Sequence, residues 1–479
     1  MREVCVGDPF DVASWTLPPL ALELDELATR SPRHGGRAQE AADWACRHLR
    51  DGVDPAALCE AAMWCGLLNA RTEGRGPVGL VTHAVLAGHA TSVLDPDPGT
   101  AAMAAAQLCA YTAGAYRGGV NDPAEGPSRL AWFEVDEAAL DDSSPLDAVL
   151  RFAELAERGE CDLADHAWLA AATADPIAAE QALISVAAGG YHLNEHKLVY
   201  PAQLRAWLGD DAPLDPVLFR AAARYVGNHL QAPERADTCR ADAAALAEML
   251  DAPAADGDHD LERVSVVATG IARTPAHDLG PLLLGSLQDE LDPQDLVLAV
   301  ALVTAARFAD TAFDPSDPLG PVGPIHACTG ANALRRCLQR ARSDELRFEL
   351  ALCAPDSPTA RALAPIGELS VAPFDDGALD DLRDSLDDGD PDAAAEAASA
   401  VPPDDDEAVG SAWSAIAAAA ARDQWMVTHA VKHAVAMRED FDASQHPARS
   451  WFLAAAARTA AHASAVDQPL AEHIASRLG

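Results

Sequence analysis

Lysine occurs only twice in 479 residues, as Lys197 and Lys432, and each copy sits inside or beside a closely spaced pair of histidines. The two segments read YHLNEHK at 191–197 and THAVKH at 428–433. Imidazole titrates near neutrality and ligates metals, while a desolvated amine holds an oxyanion or, with its pKa depressed, takes up a proton. Lysine and arginine together number 34, so 32 are arginine and the chain has given up lysine almost everywhere else. Arginine can make a structural ion pair, so the two retained amines point to a task that needs an amine. His83 and His326 join the set, because each follows a Gly-Pro-Val-Gly turn, Gly76–Gly79 and Gly320–Gly323, that leads into a helical pattern. The candidate catalytic residues are therefore His83, His196, Lys197, His326, His429 and Lys432, with a small-molecule substrate as their target.

A metal reading also arises from these spacings. His192-Leu-Asn-Glu195-His196 fits the HxxEH pattern of inverted zinc proteases, in which histidines at i and i+4 share a helix face and the glutamate adds a ligand or a general base. His192, Glu195 and His196 are thus candidate metal ligands, and a metal-dependent hydrolase is an alternative function. Two features oppose it. The second segment puts Lys432 where the glutamate would stand, and a helix cap at Asn194 or Glu195, just after Gly189-Gly190, would remove the shared face. Gly74-Arg-Gly76-Pro-Val-Gly79 spells GxGxxG, but an Ala/Leu helix precedes it where a dinucleotide site needs a strand.

The elements that position these residues are helices, and they read as a diverged duplication. Leu49, Asp51, Asp54, Pro55 and Leu58 recur as Leu287, Asp289, Asp292, Pro293 and Leu296 at a constant offset of 238. The Gly-Pro-Val-Gly turns, the paired histidines (His192/His196 and His429/His433) and the runs Phe219–Arg224 and Phe452–Arg458 follow in the same order. So long a period implies a duplicated domain rather than a solenoid. Ala/Leu/Arg-rich stretches with apolar spacing of three and four predict an all-α fold of two pseudo-repeated halves packed together. Asp54-Pro55, Asp175-Pro176, Asp215-Pro216 and Asp292-Pro293 mark helix starts, where aspartate caps free N–H groups and proline loses no hydrogen bond. The expected organisation is an N-terminal extension at 1–35, helical half 1 at 36–230, a linker region at 231–275 and helical half 2 at 276–479. An acidic surface excursion is expected at 373–410. If the halves pack about a pseudo-twofold axis, the His/Lys motifs line one shared cleft or two separate ones.

Composition narrows the setting. Seventy-five acidic residues give a formal net charge of −41, yet 49% of residues are hydrophobic and periodic, which argues for a folded protein from a salt-accumulating, halophilic cytoplasm. Nothing resembles a basic stripe, so nucleic acid is not an expected partner. The N-terminal residues lack an apolar signal core and the longest apolar run, 412–421, is too short to cross a bilayer, so no membrane partner is expected and the location is read as cytoplasmic. The ten cysteines include no CxxC pair, and Cys46, Cys59, Cys65, Cys109, Cys328 and Cys337 lie in segments where cysteine serves as a small buried residue.

The segments PIHACTGANALRRCL (324–338), THAVKHAVAMRE (428–439) and WFLAAAARTAA (451–461) resemble the questin oxidase-like family, with its histidine-bearing helix and later HAxK helix. VGLVTHAVLAGHATSVL and NEHKLVYPAQLRAWLG in the first half are similar to an uncharacterised helical domain sometimes joined to Rieske-type iron–sulfur modules. The resemblance covers about a fifth of the chain and implies an oxidoreductase, in the questin case an NADPH-linked oxygenation that opens an aromatic ring. It carries over His83, His196, Lys197, His326, His429 and Lys432, and a redox partner protein is compatible with it. No Rieske cysteine–histidine pairs are present; NADPH follows from the resemblance, a divalent metal from the histidine spacing, and no motif specifies a flavin. The remaining alternative is a non-catalytic helical interaction protein.

Overall fold

A computed structural model describes residues 17–30, 36–69, 82–95, 97–115, 144–228, 233–250, 259–275, 278–314, 316–354, 363–366, 369, 373–375, 377–424, 426 and 428–479. Among them every regular element is a helix. The chain divides into two compact units, Met1–Ser92 with Ala105–Ala236 and Ser476–Gly479, and Val93–Ala104 with Asp237–Ala475.

The first ten helices are α1 (Pro19–Arg30), α2 (Gly36–Arg50), α3 (Pro55–Asn69), α4 (Thr82–Val93), α5 (Pro98–Ala115), α6 (Pro145–Glu157), α7 (Cys161–Ala174), α8 (Pro176–Gly189), α9 (His196–Leu208) and α10 (Pro216–Asn228). After α11 (Pro233–Met249) come α12 (Leu261–Arg273), α13 (Leu279–Gln288), α14 (Pro293–Ala309), α15 (Val322–Arg340), α16 (Asp344–Cys353) and α17 (Ala378–Asp388). The last are α18 (Pro391–Ala400), α19 (Asp406–Ala420), α20 (His429–Ala443), α21 (Ser450–Ser464) and α22 (Pro469–Leu478). Counting α1–α10 and α12–α21 as two series of ten, the same pairings occur in each. The first helix packs on the second and third, the sixth on the seventh, eighth and tenth, the seventh on the tenth, and the eighth and ninth on each other and on the tenth.

Local chemistry sets the boundaries. All four Asp-Pro steps begin helices, and Asp175, Asp215 and Asp292 accept hydrogen bonds from Ala178 N at 3.0 Å, Val217 N at 2.8 Å and Gln294 N at 2.9 Å. Small side chains let helices approach closely, as where Ala309, Ala395 and Ala454 form an apolar cluster beside Trp451. Cys46, Cys59, Cys65, Cys109, Cys328 and Cys337 are buried free thiols, as expected.

Two stretches differ from their sequence reading. The region 231–275 holds α11 and α12 rather than an open linker; the carboxylate of Asp260 caps α12, which packs on α14 through Val264, Ala268 and Ile271. The stretch 373–410 is no excursion either. It contains α17, α18 and the start of α19, and α18 turns Ala394, Ala395, Ala397 and Ala398 inward against α21. The dense charge there occupies only the outer faces. Of the segment 1–35, residues 19–30 are helical, while 1–16 and 31–35 lie outside the described residues, as does Gly74–Gly79.

Ion pairs tie helices together in each unit. In the first, Arg220 donates to Asp165 at 2.7 Å and Arg224 at 3.3 Å, joining α10 to α7 with Asp165 and Arg220 fully buried. In the second, Arg458 of α21 bonds the exposed carboxylate of Asp392 on α18 and the carbonyl of Ala309. Removing one partner of a buried pair strands the other charge and costs about 3–5 kcal/mol, whereas an exposed carboxylate contributes less than about 1 kcal/mol. Urea unfolding at constant salt should therefore show a large loss for Asp165→Ala and a small one for Asp392→Ala.

Candidate functional site

In the second unit the site is built by α15 and α20, which run side by side in the same direction. Asn332 Nδ2 donates to Asp440 Oδ1 at 2.9 Å and to the carbonyl of Ala436 at 3.2 Å, Arg335 Nε to Asp440 Oδ1 at 2.7 Å, and Arg336 Nε to Glu439 Oε2 at 2.8 Å. This polar clamp fixes the two helices one to three turns beyond the place where His326 meets His429. There the two Nε2 atoms are 2.9 Å apart and the rings are inclined at 62°. His429 is the first residue of α20, and its Nδ1 bonds the carbonyl of Met426. A carbonyl only accepts, so Nδ1 carries the proton and Nε2 of His429 presents its lone pair to His326.

Burial disfavours the charged forms of His326, His433 and Lys432. Desolvation, helped by the neighbouring Lys432 charge, pushes His326 down to about 3, and burial alone brings His433 to about 3 and Lys432 to about 7. Lys432 is 3% exposed, and among the described residues its amine makes no hydrogen bond or ion pair. The residue before His429 is Thr428, whose φ of 65° and ψ of 8° place a β-branched side chain in the left-handed region. That conformation costs about 1–3 kcal/mol and sets the direction in which α20 begins.

The first unit repeats the arrangement with other neighbours. His196 is the first residue of α9 and meets His83 of α4 edge to face, with ring centroids 5.2 Å apart and ring nitrogens within 4.8 Å. Asn194 Oδ1 accepts from the backbone N–H of His196 at 3.0 Å and lies 3.2 Å from its Nδ1, while Asn194 Nδ2 donates to the Tyr225 hydroxyl at 3.1 Å. Tyr225 stacks on Tyr200 at 5.3 Å. Lys197 is 0% exposed and burial lowers it to about 7. Its chain folds over Gly190, where an added Cβ would lie 2.4 Å from Lys197 Cδ and 2.5 Å from Nζ. A glycine at 190 is therefore a requirement of the lysine, which answers for the Gly189-Gly190 pair in the sequence. Arg205, bonded to Glu180 at 2.9 Å, ties α9 to α8.

The six candidate catalytic residues divide evenly between the units, His83, His196 and Lys197 in the first and His326, His429 and Lys432 in the second. The proposed HxxEH set does not form on one helix: α9 starts at His196, so His192 and Glu195 lie in the preceding turn. The ligand-capable partner of His196 in its own unit is His83, five helices earlier, and neither His192 nor Glu195 joins that group. His433, one turn into α20, bonds Thr459 at 2.8 Å and not His429. Sequence reasoning missed Asn194, Gly190, Tyr200 and Tyr225 as neighbours of the site. Tyr200 had a signal, since it follows His196 by four residues. Other histidines serve the scaffold, as His259 does beside Asp295 at 2.6 Å and His446 where it accepts from Ala448 N at 3.0 Å.

No protein-family model matches the chain, and neither curated proteins nor solved structures include a match to it. Among the described residues no helix is long and apolar enough to cross a membrane.

The buried amines make stability depend on pH. The unfolded chain keeps their protons up to the ordinary lysine value of 10.5, whereas the folded chain sheds them near 7, so folding releases protons and stability rises with pH between these values. Below 7 both states hold the proton and the full cost of burying it remains. Thermal scans of metal-free protein at constant salt should show Lys197→Met with Lys432→Met raising the melting temperature most near pH ~6 and flattening the rise toward pH ~10. Gly190→Ala should destabilise by about 1–3 kcal/mol, and Lys197→Ala in the same chain should recover most of that loss.

Proposed function

We propose that the chain is an oxidoreductase in which each histidine pair holds a divalent transition metal beside a buried lysine that handles a small-molecule substrate. The observation that carries the reading is the 2.9 Å approach of His326 Nε2 to His429 Nε2, with the other nitrogen of His429 tied to a backbone carbonyl. Two imidazoles on one metal, at bonds of about 2.0–2.1 Å, stand roughly 3 Å apart, and ligating histidines regularly give their second N–H to a carbonyl. Neutral imidazoles are the form that binds metal, and burial provides it.

When bound, the metal supplies Lewis acidity and a redox couple. The lysine amine supplies what arginine cannot, a compact group that accepts a proton from a substrate oxygen in its neutral form and holds the resulting oxyanion as an ammonium. The electron donor implied by the resemblance to questin oxidase-like proteins is NADPH or a redox partner protein. The recurrence of the nine helix pairings, and of a His/Lys cluster at the start of the ninth helix in each series, supports descent of the two units from one duplicated half. The hydrolase alternative has less support, because His192 and Glu195 precede the helix that begins at His196.

Elemental analysis of protein purified in high salt is expected to find iron, copper or manganese near stoichiometry. His326→Ala with His429→Ala and His83→Ala with His196→Ala should each reduce that content; a wild-type protein that takes up none of these metals after reconstitution would overturn the reading. The number of ions per chain decides between the two arrangements the sequence leaves open. Replacing both lysines by arginine should keep the metal and lower turnover by about a hundredfold or more, the usual worth of a positioned acid–base group.

A further inference from the structure

One turn beyond the leading histidine of each site helix, at the same offset of 233 residues, stands a buried polar side chain whose hydrogen-bonding atom has no partner among the described residues. In α9 it is the hydroxyl of Tyr200, and in α20 it is Nε2 of His433. Residues four apart share a helix face, so each lies along the face that begins with His196 or His429. Both are deeply inside, at 1% and 0% exposure. An unmet buried polar atom costs about 1–3 kcal/mol, and it recurs here at corresponding places with different residue types. The two unmet atoms stand at the same place relative to the leading histidine of each helix, where a ligand could meet them.

The hydrogen bonds around His433 define what it seeks. Thr459 Oγ1 donates to the carbonyl of Ala455 at 3.4 Å, which leaves its lone pair to accept from His433 Nδ1–H at 2.8 Å. Nε2 is therefore an acceptor in want of a donor. The hydroxyl of Tyr200 accepts as well as donates. Each polar atom has an aromatic flank, Phe308 at 4.7 Å from the His433 ring and Tyr225 at 5.3 Å from Tyr200. The group that satisfies both places is an O–H carried on a small apolar body.

We propose that Tyr200 and His433 are the recognition residues of the two sites, each accepting a hydrogen bond from the hydroxyl of a small, largely apolar alcohol. The proposal deepens the oxidoreductase reading, on which it rests for the identity of the neighbouring histidines as metal ligands, by naming the substrate's chemical class.

Benzyl alcohol and toluene, equal in ring and different in the hydroxyl, are the probes. Calorimetric titration of metal-loaded wild-type protein should show benzyl alcohol binding more tightly than toluene by about three- to tenfold per site, the worth of one hydrogen bond. Tyr200→Phe keeps the ring, and His433→Asn keeps a polar atom near the Nδ1 position for Thr459 while removing Nε2. Combined, they should abolish the preference with metal content unchanged. His433→Gln, which restores a polar atom near Nε2, should recover part of the preference in the second site. An equal affinity for the two probes in wild type, or an undiminished preference in the double variant, would show that the unmet atoms hold water or nothing and overturn the proposal. Metal content is read separately on the same samples, so loss of the metal reading and loss of this one are distinct results.

Discussion

Desolvation is the constraint on which the arrangement depends. The chain carries 75 carboxylates, and any cation left near its surface would be captured by one of them. Lys197 and Lys432 are instead buried, and the cost of placing charge there lowers both amines to about 7. The same dryness keeps His326 and His433 as free bases. Helices rich in small residues make such sealing possible, because their backbones approach closely and leave little room for water. The acidic exterior and the basic interior are therefore two consequences of one packing scheme.

The two clusters share a logic and differ in their means. Both begin a helix with a histidine, face it with a second histidine from the fourth helix of the series and bury a lysine within the first turn. In the second unit the geometry rests on the Asn332–Asp440 clamp and the left-handed Thr428, whereas in the first it rests on Asn194, Tyr225 and the room that Gly190 leaves for Lys197. Lys197 reaches its place from the second position of its helix and Lys432 from the fourth, so corresponding amines follow different paths. Sites with this relation can diverge in substrate while keeping the scaffold that positions them.

Much of this was legible in the residues. The Asp-Pro steps carry their own capping chemistry and fixed the starts of four helices, and the rarity of lysine pointed to the two clusters. The pairing of histidines was not legible. Spacing of four between His192 and His196 suggests a shared helix face, but Gly189-Gly190 and the Asn194 cap delay the helix until His196, and the true neighbour lies across the fold at His83. Tertiary contacts of that kind leave no periodic trace. The segment after Pro373 misled for a related reason, since its many aspartates conceal the narrow alanine stripe by which α18 packs on α21.

The position of His196 and His429 at the first residue of their helices has an evolutionary consequence. A ligand in mid-helix is bound to the register of its neighbours, because each inserted residue turns it by about 100°. A side chain at the first residue takes its direction from the helix that follows and leaves the preceding loop free to vary. The loops before these two helices differ in sequence, Tyr191–Glu195 in one and the segment ending at Thr428 in the other, while a histidine opens each helix. New chemistry can be recruited in those loops without disturbing the histidine it would serve.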